Sequence, residues 1–161
     1  MGGFSARHAV LWETDGSVVD LGDLGGEAWH TPMDINARGE IVGFGNPAGV
    51  PGDAFGIHAF YRSATGVVED LGVLPGQARS QALGINNRGQ VVGQSSGSPE
   101  GRRAFLWEGG ELIDLNDLVA PSYEGTLLAA GHINDAGLIT GVALDPDTGA
   151  EVAFVARPAG G

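Results

Sequence analysis

The chain contains no cysteine, which excludes a disulfide framework, a thiolate metal centre and a cysteine nucleophile. It contains no lysine either: all eight basic residues are arginine, set against twenty Asp and Glu, and the formal charge is -12. A mean field of that sign repels phosphate backbones and anionic lipid surfaces, so nucleic acid is not an expected partner. No run approaches the roughly 20 apolar residues that cross a bilayer, so no membrane partner is expected. Residues 1–7 hold no apolar stretch of signal-peptide length, and the sequence as written carries no such signal. Gly-x-x-x-x-Gly-Lys and His-Glu-x-x-His are missing, which removes the standard nucleotide-loop and zincin readings, and Gly93-Gln94-Ser95-Ser96-Gly97, which spells Gly-x-Ser-x-Gly, has no partnered base nearby in sequence.

What the chain has in abundance is glycine, 29 in 161 residues, and a repeat. His8-Ala9-Val10-Leu11-Trp12 returns as His58-Ala59-Phe60-Tyr61-Arg62, as Arg103-Ala104-Phe105-Leu106-Trp107 and as Val152-Ala153-Phe154-Val155-Ala156, at spacings of 50, 45 and 49 residues. A second element, Val19-Asp20-Leu21-Gly22-Asp23-Leu24, returns as Glu69-Asp70-Leu71-Gly72-Val73-Leu74 and as Ile113-Asp114-Leu115-Asn116-Asp117-Leu118. The third begins at Ile35-Asn36, Ile85-Asn86 and Ile133-Asn134, each followed by Gly three residues after the Asn. The units are read as about 7–56, 57–101 and 102–150 with a terminal strand at 151–157, all in a single domain.

Each element is a short apolar, β-branched or aromatic run, and Gly, Asn and Asp join the runs. The expected class is all-β, with hairpins at Asp15-Gly16, Thr65-Gly66 and Gly109-Gly110. In the third element the Asn side chain is placed to accept an N–H two residues on, while the Gly takes the left-handed position of a reversal. Asp20, Asp70 and Asp114 are read as strand-end acceptors of backbone hydrogen bonds. Four short antiparallel strands per unit is the pattern of a β-propeller blade.

These motifs resemble the HAF repeat, named for the triplet seen here as His58-Ala59-Phe60, and the resemblance covers nearly all of residues 7–156. It implies a secreted, extracellular bacterial protein and little specific chemistry. Three blades fall short of the about four to eight of known propellers. Closure by oligomerisation is therefore expected, most simply as a homodimer whose chains each donate a terminal strand. The alternatives are that the chain is part of a longer protein, or that it forms a closed three-fold all-β fold of trefoil or prism type.

Residues shared by every unit serve a scaffold, so candidate chemistry lies where one unit departs from the others. His8, His58 and Arg103 share one repeat position and read as structural. The segment from Glu27 to Asp34 brings Trp29, His30 and Asp34 together, and Asp34 shares its repeat position with His132. If equivalent positions face one channel, Asp34, His132 and His30 form a candidate acid–base set, in which imidazole and carboxylate activate water. Asp145-Pro146-Asp147-Thr148-Gly149-Ala150-Glu151 resembles the opening of a calcium loop, with Asp145, Asp147 and Glu151 as candidate ligands. It supplies only part of the roughly six to eight oxygens that Ca2+ takes, and it is equally good hairpin-turn chemistry. Asp53 occupies the corresponding connection of the first unit. Tyr123 and Glu124, in an insertion specific to the third unit, and Trp29 are candidate ligand contacts.

The reading that follows is a binding or assembly module for a carbohydrate or small ligand. The alternative is a calcium-dependent hydrolase, opening a lactone or cleaving a glycoside, in which the cation polarises the scissile group while Asp34 and His132 move the proton.

Overall fold

The computed structural model describes residues 9–49 and 56–157, with the backbone but not the side chains of residues 27–29. His8, Asp53 and the Trp29 side chain lie outside the described residues. The described residues are all-β, as the turn chemistry demands: thirteen strands, one 3-10 turn and no α-helix. No helix among the described residues is therefore long and apolar enough to cross a membrane.

The first two strands, β1 (Val10–Trp12) and β2 (Val18–Asp20), form a two-stranded sheet of their own among the described residues. Then come β3 (Gly25–Ile35), β4 (Ile41–Pro47), β5 (His58–Arg62) and β6 (Val68–Gly72), an antiparallel four-stranded meander. A second meander consists of β7 (Arg79–Ile85), β8 (Val91–Ser96), β9 (Arg103–Glu108) and β10 (Glu111–Asp114). After a 3-10 turn at Leu115–Asp117, a three-stranded sheet follows: β11 (Thr126–Ile133), β12 (Ile139–Leu144) and β13 (Glu151–Ala156). The two four-stranded sheets thus begin at the Ile-Asn-x-x-Gly hairpin and end on the Asp-Leu element, half a repeat out of step with units counted from the His-Ala-Phe strand.

Local chemistry dictates these hairpins. Gly39, Gly89 and Gly137, three residues after each repeat Asn, have φ of 77°, 79° and 78°, a region where any Cβ is strained. The Asn side chain closes the turn, with Asn36 Oδ1 accepting the Arg38 N–H at 3.0 Å and the Glu40 N–H at 3.1 Å. Asn86 and Asn134 do the same in their turns. Asp20, Asp70 and Asp114 accept the amides of Gly22, Gly72 and Asn116 at 2.7–2.9 Å, which ends each of those strands. The first strand of each sheet carries a bulge at one repeat position, between Pro32 and Asp34, Ala82 and Gly84, and Ala130 and His132. The bulge drives a carbonyl onto Gly43, Gly93 or Gly141, where a Cβ would come within 2.0 Å of it. That close approach explains the glycine closing each third element.

The core lies between successive sheets and repeats with the sequence. Between the first two sheets, Val42, Ala59, Leu71 and Leu74 pack on Ala82, Ile85, Val91 and Phe105. Between the second and third, Val92, Ala104, Leu106 and Leu115 meet Ala130, Ile133, Ile139 and, at the margin, Phe154. The β1–β2 hairpin adds half of the same interface, laying Ala9 and Leu21 on Ile41 and Phe60. Burying one such aliphatic side chain contributes about 1.5–3 kcal/mol, so these layers supply the main cohesion between sheets.

Candidate functional site

The densest polar network lies where the three Asn turns meet. Each turn bonds to the next across a sheet boundary. Asn36 Nδ2 donates to the Asn86 carbonyl and Asn86 Nδ2 to the Asn134 carbonyl, both at 3.0 Å. The following residue adds a second rung: the Ala37 N–H donates to Asn87 Oδ1, and the Asn87 N–H to Asp135 Oδ1, both at 2.8 Å. Asn87 Nδ2 also donates to Asp135 Oδ2 at 2.8 Å. These donors hold the Asp135 carboxyl below its ordinary range.

Beside the first turn, Glu40 accepts from Asn36 Nδ2 at 2.5 Å, from Arg38 at 2.7 and 3.1 Å, and from the Tyr61 hydroxyl at 2.8 Å. Burial works against the Glu40 charge, yet these donors hold its carboxyl below the usual value. Burial first, and then the Glu40 carboxylate, pushes the Tyr61 phenol up to about 12. The Tyr61 ring stacks on Trp107 at 5.4 Å between centroids. The second turn has Gln90 at the Glu40 position, where it accepts from Asn86 and Arg88 and donates to Glu108. The network is thus a neutral or charged version of one clasp.

Asp34 belongs to the same system. Its Oδ2 accepts the Ile85 N–H from the second sheet at 2.9 Å, and its Oδ1 accepts its own neighbour Ile35 N–H at 2.9 Å. His132 stands exposed on β11 opposite Thr140. Between Asp34 and His132 runs the backbone of Gly84 and Ile85, close enough that a Cβ on Gly84 would sit 3.1 Å from His132 Cα. His30 is buried: its Nε2 accepts the Leu24 N–H at 2.7 Å, and its ring lies 5.9 Å from Phe60. Acting as that acceptor, Nε2 carries no proton. No hydrogen bond among the described residues joins any two of Asp34, His132 and His30.

The three calcium candidates are likewise apart in role. Asp145 Oδ1 accepts the Thr148 N–H and Oγ1 at 2.8 Å and the Asp147 N–H at 3.1 Å, closing the hairpin before β13. Those bonds lower its carboxyl pKa. Glu151 is ion-paired with Arg102. Among the described residues no three His, Asp or Glu side chains group as a metal centre requires. Tyr123 covers Gly125, whose added Cβ would lie 2.5 Å from its hydroxyl oxygen, and Glu124 is exposed beside it.

The His58 position has a structural use. His58 Nδ1 lies 2.9 and 3.0 Å from the Asp70 carboxylate oxygens, and in the next repeat Arg103 lies 3.4 Å from Asp114. A basic residue thus ties the third strand of each of these sheets to the fourth. Sequence reasoning foresaw the acceptor role within each Asn turn but missed the donor role between turns. The available signal was the Asx residue after the repeat Asn, present as Asn87 and Asp135, with Ala37 at that position in the first turn. No family model, curated protein or solved structure matches the chain.

Proposed function

We propose that the chain is a non-catalytic assembly module of the HAF-repeat type, exported from the cell, whose sheets form part of a propeller-like ring closed by further copies. One observation carries this reading: Asp34, His30 and Asp145, three of the side chains that resemble chemistry, are spent on backbone amides of the scaffold, while apolar side chains remain uncovered at the ends of the stack. Asp34 holds the Ile85 amide, His30 the Leu24 amide and Asp145 its own turn. A general base engaged with amides it cannot release is poorly placed to accept a proton from water. Meanwhile Ile35 is 52% exposed and Val155 65% exposed. Apolar residues left open at successive ends of a repeat stack favour association.

The test pairs two measurements on the full chain. Hydrolysis of a panel of lactones and aryl glycosides is expected to stay at the uncatalysed rate with or without millimolar calcium, and sedimentation velocity is expected to show more than one copy per particle. Turnover that is lost in both Asp34→Asn and His132→Ala, with folding intact, would overturn the reading in favour of the hydrolase.

A further inference from the structure

The two interfaces inside the stack show what one sheet requires of the next. The leading sheet offers a valine from its second strand, Val42 or Val92, together with Ala59 and Tyr61 or Ala104 and Leu106 from its third. The following sheet offers Ala82 and Ile85, or Ala130 and Ile133, and covers them with that valine. The ends of the described chain carry the two halves of one more such interface. At one end Ile35 is 52% exposed, whereas its counterparts Ile85 and Ile133 are only 5% and 9% exposed. At the other end Thr140, Ala153 and Val155 stand exposed at the positions of Val42, Ala59 and Tyr61.

Hydrogen bonding has the same polarity. Asn36 and Asn86 each donate Nδ2 to the next turn's carbonyl, and no such acceptor follows Asn134 among the described residues. The Asn36 carbonyl accepts Gly39 N–H within its own turn, as the Asn86 carbonyl accepts Gly89 N–H, yet only the latter also receives a preceding Asn. Strand count adds a third mismatch. The His-Ala-Phe strand occurs four times, as β1, β5, β9 and β13, whereas the Asp-Leu strand occurs three times, as β2, β6 and β10. Among the described residues the outer edge of β13 is therefore unpaired, and β2 pairs with β1 alone, along three residues, against six for β13 on β12.

We propose, building on the assembly reading above, that a second copy of this chain docks its β11–β12–β13 sheet on the face of the first sheet that the β1–β2 hairpin covers only in part, with β13 taking the place of β1 beside β2. The register follows from the pairs Phe60–Asp70, Tyr61–Glu69 and Arg62–Val68: Phe154 comes opposite Asp20, Val155 opposite Val19 and Ala156 opposite Val18. Thr140 then covers Ile35, Ala153 and Val155 replace Ala9 and Leu11, and Asn134 Nδ2 reaches the Asn36 carbonyl of the other copy. Two copies that exchange in this way hold six four-stranded sheets, within the about four to eight blades of propellers.

The test uses the absence of cysteine. Wild type, Val155→Glu and Ile35→Glu are sized by light scattering, both substituted positions being exposed and neutral to the fold of one copy. Ile35→Cys and Thr140→Cys chains are then mixed and oxidised. The proposal expects a two-copy wild type, one-copy Glu variants, and a covalent pair that needs both Cys variants. A two-copy wild type whose Glu variants also stay at two copies, with no Ile35–Thr140 crosslink, overturns this interface and leaves the assembly reading standing. A wild type that stays at one copy at every concentration overturns both. A doubly substituted chain that closes its disulfide within one copy gives the face to its own third sheet and overturns the second-copy occupant.

Discussion

In the sheet β7–β10 the amide of Leu74 donates to Ser95 Oγ, which in turn donates to the Arg79 carbonyl, while Ser80 Oγ accepts the Ala59 amide and donates to the Gly72 carbonyl. In the sheet β3–β6, fifty residues earlier, Leu24 donates instead to His30 Nε2, with His30 at the Ser80 position and Gly45 at the Ser95 position. The imidazole fills the space of two serines: a Cβ on Gly45 would come within 2.2 Å of the His30 ring. One buried amide thus has two interchangeable solutions, His with Gly or Ser with Ser. The histidine that departs from the repeat does so together with its partner glycine.

The comparison breaks most visibly where one repeat position is covered in one sheet and open in another. Phe105 is fully buried with its ring over Gly93, whereas Val10 at the same repeat position is 45% exposed. Phe105→Ala is expected to cost about 3–5 kcal/mol and Val10→Ala less than about 1 kcal/mol, read from denaturant midpoints. Gly45→Ser should cost about 1–3 kcal/mol through overpacking against His30. The double variant Gly45→Ser with His30→Ser should recover most of that loss, and additive losses would show that the two positions are not coupled. Asp34→Ala should cost about 1–3 kcal/mol by stranding the buried Ile85 amide, while His132→Ala stays within about 0.5 kcal/mol.

Titration sharpens the contrast between the two turns. Tyr61 is raised to about 12, so its neutral form supports the fold below the unfolded phenol value of about 10, and that support is lost as pH rises toward 12. Tyr61→Phe is expected to flatten stability over that window, as phenolate absorbance and unfolding measured together would show, with Tyr123 the one other phenol in the chain. At the acid end, burial alone would raise the Asp70 carboxyl, but His58 and the Gly72 amide hold it below the ordinary range. Its contribution is present above the unfolded value of about 4 and fades as pH falls through the folded one. His58→Ala should shrink that acid-sensitive component of stability.

The all-β class and the hairpins were legible because their causes are local: Gly39, Gly89 and Gly137 each sit three residues after an Asn that can close the turn alone. The strand-end role of Asp20, Asp70 and Asp114 was legible for the same reason. The sheet frame was not, since a periodic sequence carries no mark of where one sheet stops, and only the pairing of β4 with β5 and of β8 with β9 fixes it. The roles of Asp34 and His30 were hidden more deeply. Asp34 acts on an amide 51 residues away, and His30 is intelligible only beside Gly45. In both cases a polar residue in a departure from the repeat looked like chemistry because its backbone partner was invisible in one dimension.

The proposed pairing makes the open faces at the two ends halves of one interface. It is tested most directly by the molar mass of the full chain, measured by light scattering across a dilution series beside Val155→Glu. The prediction is a wild type at twice the 16.4 kDa of one chain, with the variant at one. A wild type that stays at 16.4 kDa up to the highest concentration reached would contradict it.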